Sequence, residues 1–154
     1  MEQASIVVFA ALLLVVVLVV FYVLYGVSHM KALKYLGDWD KAWMAWLPPL
    51  FSYYALADAA LDGEGSMQLS DSFDVPALAF KLWYPIALAV SFIPSVGFIL
   101  NIIMHIVCLG ICYTKIYARL EQRDERDVKT IGYVSGFLPI IAVYRFFTGK
   151  YNEL

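Results

Sequence analysis

The chain has 154 residues, of which 62% are hydrophobic and 16% charged, and its formal net charge is −2. Ordinary soluble domains contain about 45–50% apolar and about 25% charged residues, so this composition argues against a water-soluble globular protein. The slightly acidic balance also argues against nucleic-acid binding, which needs a concentrated basic face.

An uninterrupted apolar run opens the chain. The 21 residues from Ser5 to Tyr25 include no charge, no proline and no glycine. At ~1.5 Å per residue, such a helix reaches about 30 Å, the thickness of a bilayer's hydrocarbon core. No Lys or Arg precedes the run, and it exceeds the ~7–15 apolar residues of a secretory signal peptide. We therefore predict a retained spanning helix over about 5–26.

A tryptophan-rich segment broken by two prolines comes next. Its tryptophans recur at spacings of four and three, namely Trp39, Trp43 and Trp46. Such a row on one side of a helix is typical of interfacial aromatic anchors. Pro48 and Pro49 break the helix. We predict a hairpin over about 39–61 that is re-entrant or interfacial.

Three more apolar segments follow an acidic loop at 62–76. They predict helices over about 77–93, 96–118 and 131–148, with a charged stretch before the last one. Together with the first helix they give an all-α polytopic membrane protein with four transmembrane helices plus the hairpin. The whole chain, 1–154, is predicted to be one membrane-embedded domain.

Three short segments share a bulky residue, then Leu or Ile, then proline. The prolines are Pro48, Pro94 and Pro139, spaced 46 and 45 residues apart. Repeated helix breaks of this kind can mark discontinuous membrane helices that build a site. Proline is also more frequent in membrane helices than in soluble ones, so a chance repeat stays open as an alternative.

Lysines and arginines predict the orientation of the chain. One basic group comprises Lys31, Lys34 and Lys41, and a second group of five basic residues lies within 115–129. Both groups share one side only if the hairpin returns to the side from which it starts. That arrangement obeys the positive-inside rule, so we expect both groups in the cytoplasm and the N-terminus outside.

A polar stripe interrupts the predicted helix 96–118. Asn101, His105, Cys108 and Cys112 are spaced to share one helical face. His and Cys can ligate zinc or copper, whereas Asn and His also hydrogen-bond between packed helices. Because only three ligand-type residues occur in the stripe and no second cluster complements them, the packing seam is favoured. No metal and no cofactor are predicted.

Three ionisable residues lie within or at the edge of apolar segments: Asp58, Lys81 and Arg145. Charges at membrane depth cost about 2.5–3.5 kcal/mol each, so they usually pair or line a polar cavity. We predict an ion pair between Asp58 and either Lys81 or Arg145. A structural pair is favoured over a transport site.

The chain resembles a group of small bacterial integral membrane proteins of unknown function. The resemblance rests on LGDWDKAWMAWLPPLFSYYALADAALDG, FIPSVGFILNIIMHIVCLGICYTK and GFLPIIAVYRFFTGKY, within residues 35–151. The matching positions are Lys41, Ala42, Trp46, Leu47, Pro48, Tyr53, Ile93, Pro94, Ile99, Leu138 and Pro139. The chain departs near Phe51 and Gly97, where the family has asparagine after the proline. The resemblance implies a small multi-spanning protein of a bacterial cell membrane and no assigned activity.

The sequence contains no GxSxG, HExxH or phosphate-binding glycine loop, and we predict that the protein is not an enzyme. The favoured function is that of a non-enzymatic accessory or scaffold subunit of a larger membrane assembly. Its expected partners are the lipid bilayer and other membrane proteins or further copies of itself. The alternative is a small transporter or channel, as a homo-oligomer, that uses the proline-broken segments and the intramembrane charges.

Overall fold

The structure, a computed structural model, describes residues 2–70, 72–149 and 151, with the side chains of residues 2–5 excepted. The helices are α1 (Glu2–Tyr35), a 3₁₀ helix (Ala42–Trp46), α2 (Pro49–Leu61), α3 (Ala77–Lys81), α4 (Trp83–Val90), α5 (Gly97–Glu121), α6 (Glu125–Phe137) and α7 (Pro139–Thr148). Two short strands, β1 (Ser66–Ser70) and β2 (Phe73–Pro76), form one antiparallel pair. The chain is thus mostly helical, as predicted.

The segment predicted as a loop at 62–76 contains this strand pair. Met67 pairs with Val75 in the register of the two strands, and its side chain is fully buried. Apolar residues alternate with polar ones in β1, which places Met67 and Leu69 against the core. The acidic composition of the segment concealed this alternation.

Several predicted helix bounds are wrong. α1 continues past Gly26 to Tyr35, and Gly26 gives close packing, because a Cβ there would lie 2.6 Å from the ring of Trp46. The segment 77–93 is divided at Leu82 into α3 and α4. The segment 131–148 is not one helix, because Pro139 begins α7 after the break at Leu138. Proline favours the first turn of a helix and disrupts its interior.

Two helices in the described part of the chain are long and apolar enough to cross a membrane. They are the Ile6–Tyr35 portion of α1 and the whole of α5. Length alone therefore does not confirm the prediction of four spanning helices. The bulky side chains of residues 6–20 are 52–69% exposed on all sides of α1, whereas the second half of α5 is buried.

α1 and α5 run in the same direction through the core. The His29 Nε2 atom lies 2.9 Å from the hydroxyl of Tyr113. Three residues beyond the end of α1, Asp38 lies near Arg119: burial raises the pKa of this carboxyl, and the positive charge of Arg119 opposes that rise. α2 has the same direction, because Tyr53 contacts the ring of His105 and Asp62 pairs with Arg119. The exposed N-terminal part of α1 and the N-terminal half of α5 therefore extend from the core toward the same end.

α4 and α6 run against α5. Trp83 packs on the ring of His105, and the Asn101 side chain donates a 2.7 Å hydrogen bond to the carbonyl of Ala87. On α6, Gly132 lies beside Thr114 and Gly136 beside Gly110. In both cases, residue numbers rise along α4 or α6 as the numbers of their contacts on α5 fall. Each of these helices therefore forms an antiparallel hairpin with α5.

The three Leu/Ile-Pro segments all lie in turns at one end of the molecule. Pro48 shares a cleft with Tyr22 of α1, Pro94 lies in the turn between α4 and α5, and Pro139 lines a cleft with Asn101 of α5. The exposed apolar residues of these turns include Phe51, Phe92, Ile93, Val96, Phe98, Phe137 and Leu138. We call this end, with the exposed part of α1, the apolar end. The ion pairs of Asp58, Asp62 and Glu121 define the opposite, polar end.

Small residues bring α5 and α6 into close contact. A Cβ on Gly136 would lie 2.7 Å from the backbone nitrogen of Gly110 and 2.8 Å from the carbonyl oxygen of Ile106. Gly132 and Gly136 form a GxxxG pattern; Gly136 faces Gly110, and Gly132 faces the backbone and hydroxyl of Thr114. Close backbone approach through small residues is the usual way in which membrane helices associate.

Replacing Gly136 by alanine tests this contact. The new methyl group would meet backbone atoms of α5 rather than a flexible side chain, so the helices must separate. We expect a loss of about 1–3 kcal/mol in the free energy of unfolding, measured by chemical denaturation in detergent micelles. Gly65→Ala is the matched control, because no atom lies within 4 Å of a Cβ there. Equal stability of the two variants would contradict the close packing.

Candidate functional site

An ion cluster at the polar end joins three segments of the chain. The Asp58 carboxylate, on α2, pairs with Lys41 before the 3₁₀ helix and with Lys81 at the end of α3. One carboxylate oxygen faces each lysine, and only 12% of the Asp58 side chain is exposed. The predicted pair with Lys81 is present, whereas Arg145 pairs elsewhere. The second partner, Lys41, was assigned in the sequence to the basic stretch beside the membrane.

The two ammonium groups keep the carboxylate charged. Partial burial alone would raise the pKa of Asp58, but the hydrogen bonds and positive charges of Lys41 and Lys81 hold it below its usual value. The hydrogen bond to Asp58 likewise raises the pKa of Lys41. At neutral pH the cluster is therefore one anion between two cations, with a net positive charge.

Arg145 lies in a second ion pair at the polar end. Its guanidinium pairs with Glu121 at the end of α5 and lies 4.6 Å from the ring centre of Tyr117. A third pair joins Arg119 to Asp62 at 2.9 Å, and the same arginine donates 2.7 Å to the carbonyl of Ala59. These pairs connect α5 with α7 and with the end of α2.

Lys31 connects α1 with the end of α7. Its ammonium donates to the carbonyls of Phe147 at 3.1 Å and Gly149 at 3.0 Å. A cation at a helix C-terminus complements the carbonyls that lack helical partners and the negative end of the helix dipole. The return of α7 to the polar end is thus held by Lys31 and by the Arg145–Glu121 pair.

The polar stripe of α5 lies against α2 and α4. Asn101 bonds to α4, and the ring of His105 lies 5.4 Å from Tyr53 and 5.4 Å from Trp83. Cys108 and Cys112 are buried and free. No group of three or more His, Cys, Asp or Glu side chains suited to a metal occurs among the residues described here. Within the described part of the chain, no His, Cys, Asp or Glu of another segment joins His105, Cys108 and Cys112 in such a group.

The three tryptophans do not share one helical face. Trp39 precedes the 3₁₀ helix, and the ammonium of Lys34 lies over its indole, 5.1 Å from the ring centre. Trp43 is exposed, and its indole N–H donates to the carbonyl of Asp40. Trp46 instead packs against α1, where its ring covers Gly26. Two of the three thus have the exposure expected of interfacial anchors.

A buried polar network, absent from the sequence predictions, joins α1 to α5. The Nδ1 atom of His29 lies 2.9 Å from the carbonyl of Tyr25, while the Nε2 atom faces Tyr113. The ring centre of Tyr25 stacks 3.7 Å from that of His29, and the ring of Phe146 lies edge-on to the imidazole with the centres 5.1 Å apart. In the sequence, no other ligand-type or titratable residue near His29 suggests a function for it. Its hydrogen bond with Tyr113 becomes visible only when α5 packs against α1.

Asp58→Asn tests the ion cluster. The amide keeps the shape of the side chain but leaves the ammonium groups of Lys41 and Lys81 close together without a counter-charge. We expect the free energy of unfolding in detergent micelles to fall by about 1–3 kcal/mol, between the values for exposed and fully buried pairs.

The matched control is Asp62→Asn, which removes the same charge from a side chain that is 62% exposed. Its expected cost is below about 1 kcal/mol, since solvent screens exposed pairs. The difference between the two variants should disappear in acid, because the contribution of Asp58 is lost as the pH falls through its lowered pKa. Equal costs for both variants at neutral pH would contradict a special role for Asp58.

Comparison with known proteins gives no family for this chain: no family model, curated protein or solved structure matches it.

Proposed function

We propose that this protein is a small, non-enzymatic scaffold subunit that α1 anchors in a membrane. The observation that carries the proposal is the uncovered apolar surface of α1. The bulky residues from Ile6 to Val20 are more than half exposed, and none of the most apolar 18-residue window of the helix is buried inside the protein. Lipid, or the helices of another membrane protein, must cover this surface.

The roles of the interior charges favour a scaffold over a transporter. Asp58 and Lys81 pair with each other, and Arg145 pairs with Glu121. A transport site needs charged groups that exchange partners with a substrate or with water, whereas these groups hold separate segments of the chain together. The transporter or channel, as a homo-oligomer, remains the second candidate because Asn101 and His105 line a cleft beside the turn at Pro139.

We further propose that the proline turns enter the membrane from one side and return to it. The turns at Pro48, Pro94 and Pro139 share the apolar end, and the segments that flank them return to the polar end. This arrangement keeps the basic groups around Lys34 and Lys115 on one side, in agreement with the positive-inside rule. It supports a cytoplasmic polar end. In this arrangement only α1 crosses the membrane, and the other three predicted spans become two hairpins with their turns at Pro94 and Pro139.

Native purification tests the scaffold function. The tagged protein, extracted in membrane nanodiscs from its own cells, should elute with another membrane protein, or with further copies of itself, at a fixed molar ratio. A variant with residues 6–20 shuffled keeps the apolar composition, so it should insert in the membrane but lose the partner. This loss is expected because specific helix contacts depend on the order of the side chains, whereas insertion depends on the total hydrophobicity of the segment.

A strictly monomeric particle for the parent, with no second protein, would contradict the scaffold function. Ion or solute flux through liposomes of the pure protein, abolished by Asp58→Asn but not by Asp62→Asn, would favour the transporter instead. Retention of the partner by the shuffled variant would place the contact on another surface than α1.

A further inference from the structure

A cleft lies beside the last two turns of α1, where the chain leaves that helix. Its lining comprises Val27, Met30, Lys31, Lys34, Tyr35 and Trp39. The volume is about 340 Å³, which falls within the ~300–1,000 Å³ of sites for small ligands. The walls are apolar and aromatic apart from the two lysines, and no acid of the described chain lines them. The cleft therefore suits an amphipathic ligand that carries a negative charge.

The charges of the two lysines in this cleft are not compensated by acids. Lys115, elsewhere at the polar end, pairs with Glu125 at 3.0 Å, whereas neither lysine of the cleft pairs with a carboxylate that the structure describes. The ammonium of Lys34 lies over the indole of Trp39. Lys31 donates to two neutral carbonyls of α7, and an ammonium has three donors, so one donor remains. The cleft thus offers two positive charges to an anion.

An apolar strip on α1 leads into this cleft. Residues that recur at spacings of three and four lie on one helical face, and this row comprises Val16, Val20, Val23, Val27, Met30 and Lys34. Its first three members are 43–57% exposed. From Val16 to Met30 the helix rises about 21 Å, which covers the hydrocarbon of one leaflet, about 15 Å. In the proposed membrane arrangement, the valines lie among acyl chains and Lys34 lies at the level of the headgroups.

We propose that this cleft binds one anionic phospholipid, with its phosphate at the ammonium groups of Lys31 and Lys34 and one acyl chain along the strip. Trp39 forms the outer wall and holds the ammonium of Lys34 by a cation–π contact. The proposal rests on the proposed membrane anchoring by α1. It assigns one class of lipid to a part of the surface that the chain itself leaves uncovered, and it makes headgroup charge the feature that the cleft recognises.

Phospholipids that differ only in headgroup charge test the proposal. The full chain in detergent micelles is mixed with equal amounts of dioleoyl phosphatidylglycerol and dioleoyl phosphatidylcholine, and retained lipids are counted by native mass spectrometry. The parent should retain phosphatidylglycerol about 5- to 30-fold better, since each lysine near an anionic group contributes about fivefold. Lys34→Gln should lower this preference about fivefold. Lys129→Gln makes the same charge change on an exposed lysine of α6 outside the cleft, and it should keep the preference.

A second pair of variants keeps every lysine and changes the outer wall. Trp39→Ala removes the indole that holds the ammonium of Lys34, so the preference for phosphatidylglycerol should fall at least about twofold. Trp43→Ala is the matched control, because the two tryptophans have similar exposure, 59% and 54%, and only Trp39 lines the cleft. Since both side chains are largely exposed, neither variant should lower the melting temperature.

A parent without preference for phosphatidylglycerol would overturn the lipid site. An equal loss in Lys34→Gln and Lys129→Gln would also overturn it, because the preference would then reflect the positive charge of the whole polar end. Flotation with phosphatidylcholine vesicles separates these outcomes from failure of the anchoring. A protein that floats with the vesicles but shows no lipid preference refutes only the lipid site, whereas a protein that stays in solution contradicts the anchoring itself.

Discussion

The uncovered apolar surface of α1 is the constraint on which the rest of the account depends. Water in contact with so many Val and Leu side chains is unfavourable, because burial of each one in an apolar medium stabilises by about 1.5–3 kcal/mol. Since α1 and α5 extend from the core in the same direction, an apolar medium around α1 also surrounds the turns at Pro94 and Pro139. In the proposed arrangement, the depth of the rest of the protein in the membrane thus follows from the position of α1.

Proline has a consistent role in the turns of the apolar end. Pro49 and Pro139 occupy the first turn of α2 and α7, where their missing N–H groups need no helical partner. In an apolar medium an unpaired backbone group is costly, so a turn there must expose few of them. Of the three repeated prolines, Pro139 begins α7, Pro48 is the N-cap of α2 and Pro94 lies three residues before α5, so each one stands at or shortly before the start of a helix. Whether the three segments superimpose as internal repeats stays a prediction.

The sequence predicted the parts of the structure that follow from local composition. The length of the apolar run defined α1 as a candidate span, and the cost of an isolated charge predicted the pair of Asp58 with Lys81. The role of Lys41 was missed because the sequence placed it with Lys31 and Lys34 in a basic stretch beside the membrane. The pair of Arg145 with Glu121 was missed because 131–148 was treated as one helix. Neither the fold-back at Pro139 nor the packing of Gly136 is visible without tertiary contacts.

The same reasoning explains why the candidate site was only partly predictable. Asn101 and His105 were assigned correctly to one helical face, since a period of 3.6 residues follows from sequence alone. The partners of that face, Tyr53 and Trp83, come from distant segments.

Cysteine accessibility tests the central claim, that the last two helices form a hairpin which returns to its starting side. In a variant without Cys108 and Cys112, single cysteines at Gln122 and Thr148 are exposed to a membrane-impermeant maleimide in sealed vesicles of known orientation. The account predicts that both positions react from the same side of the membrane. Reaction of Thr148 only from the side opposite to Gln122 would show that the segment 131–148 crosses, and would contradict the account.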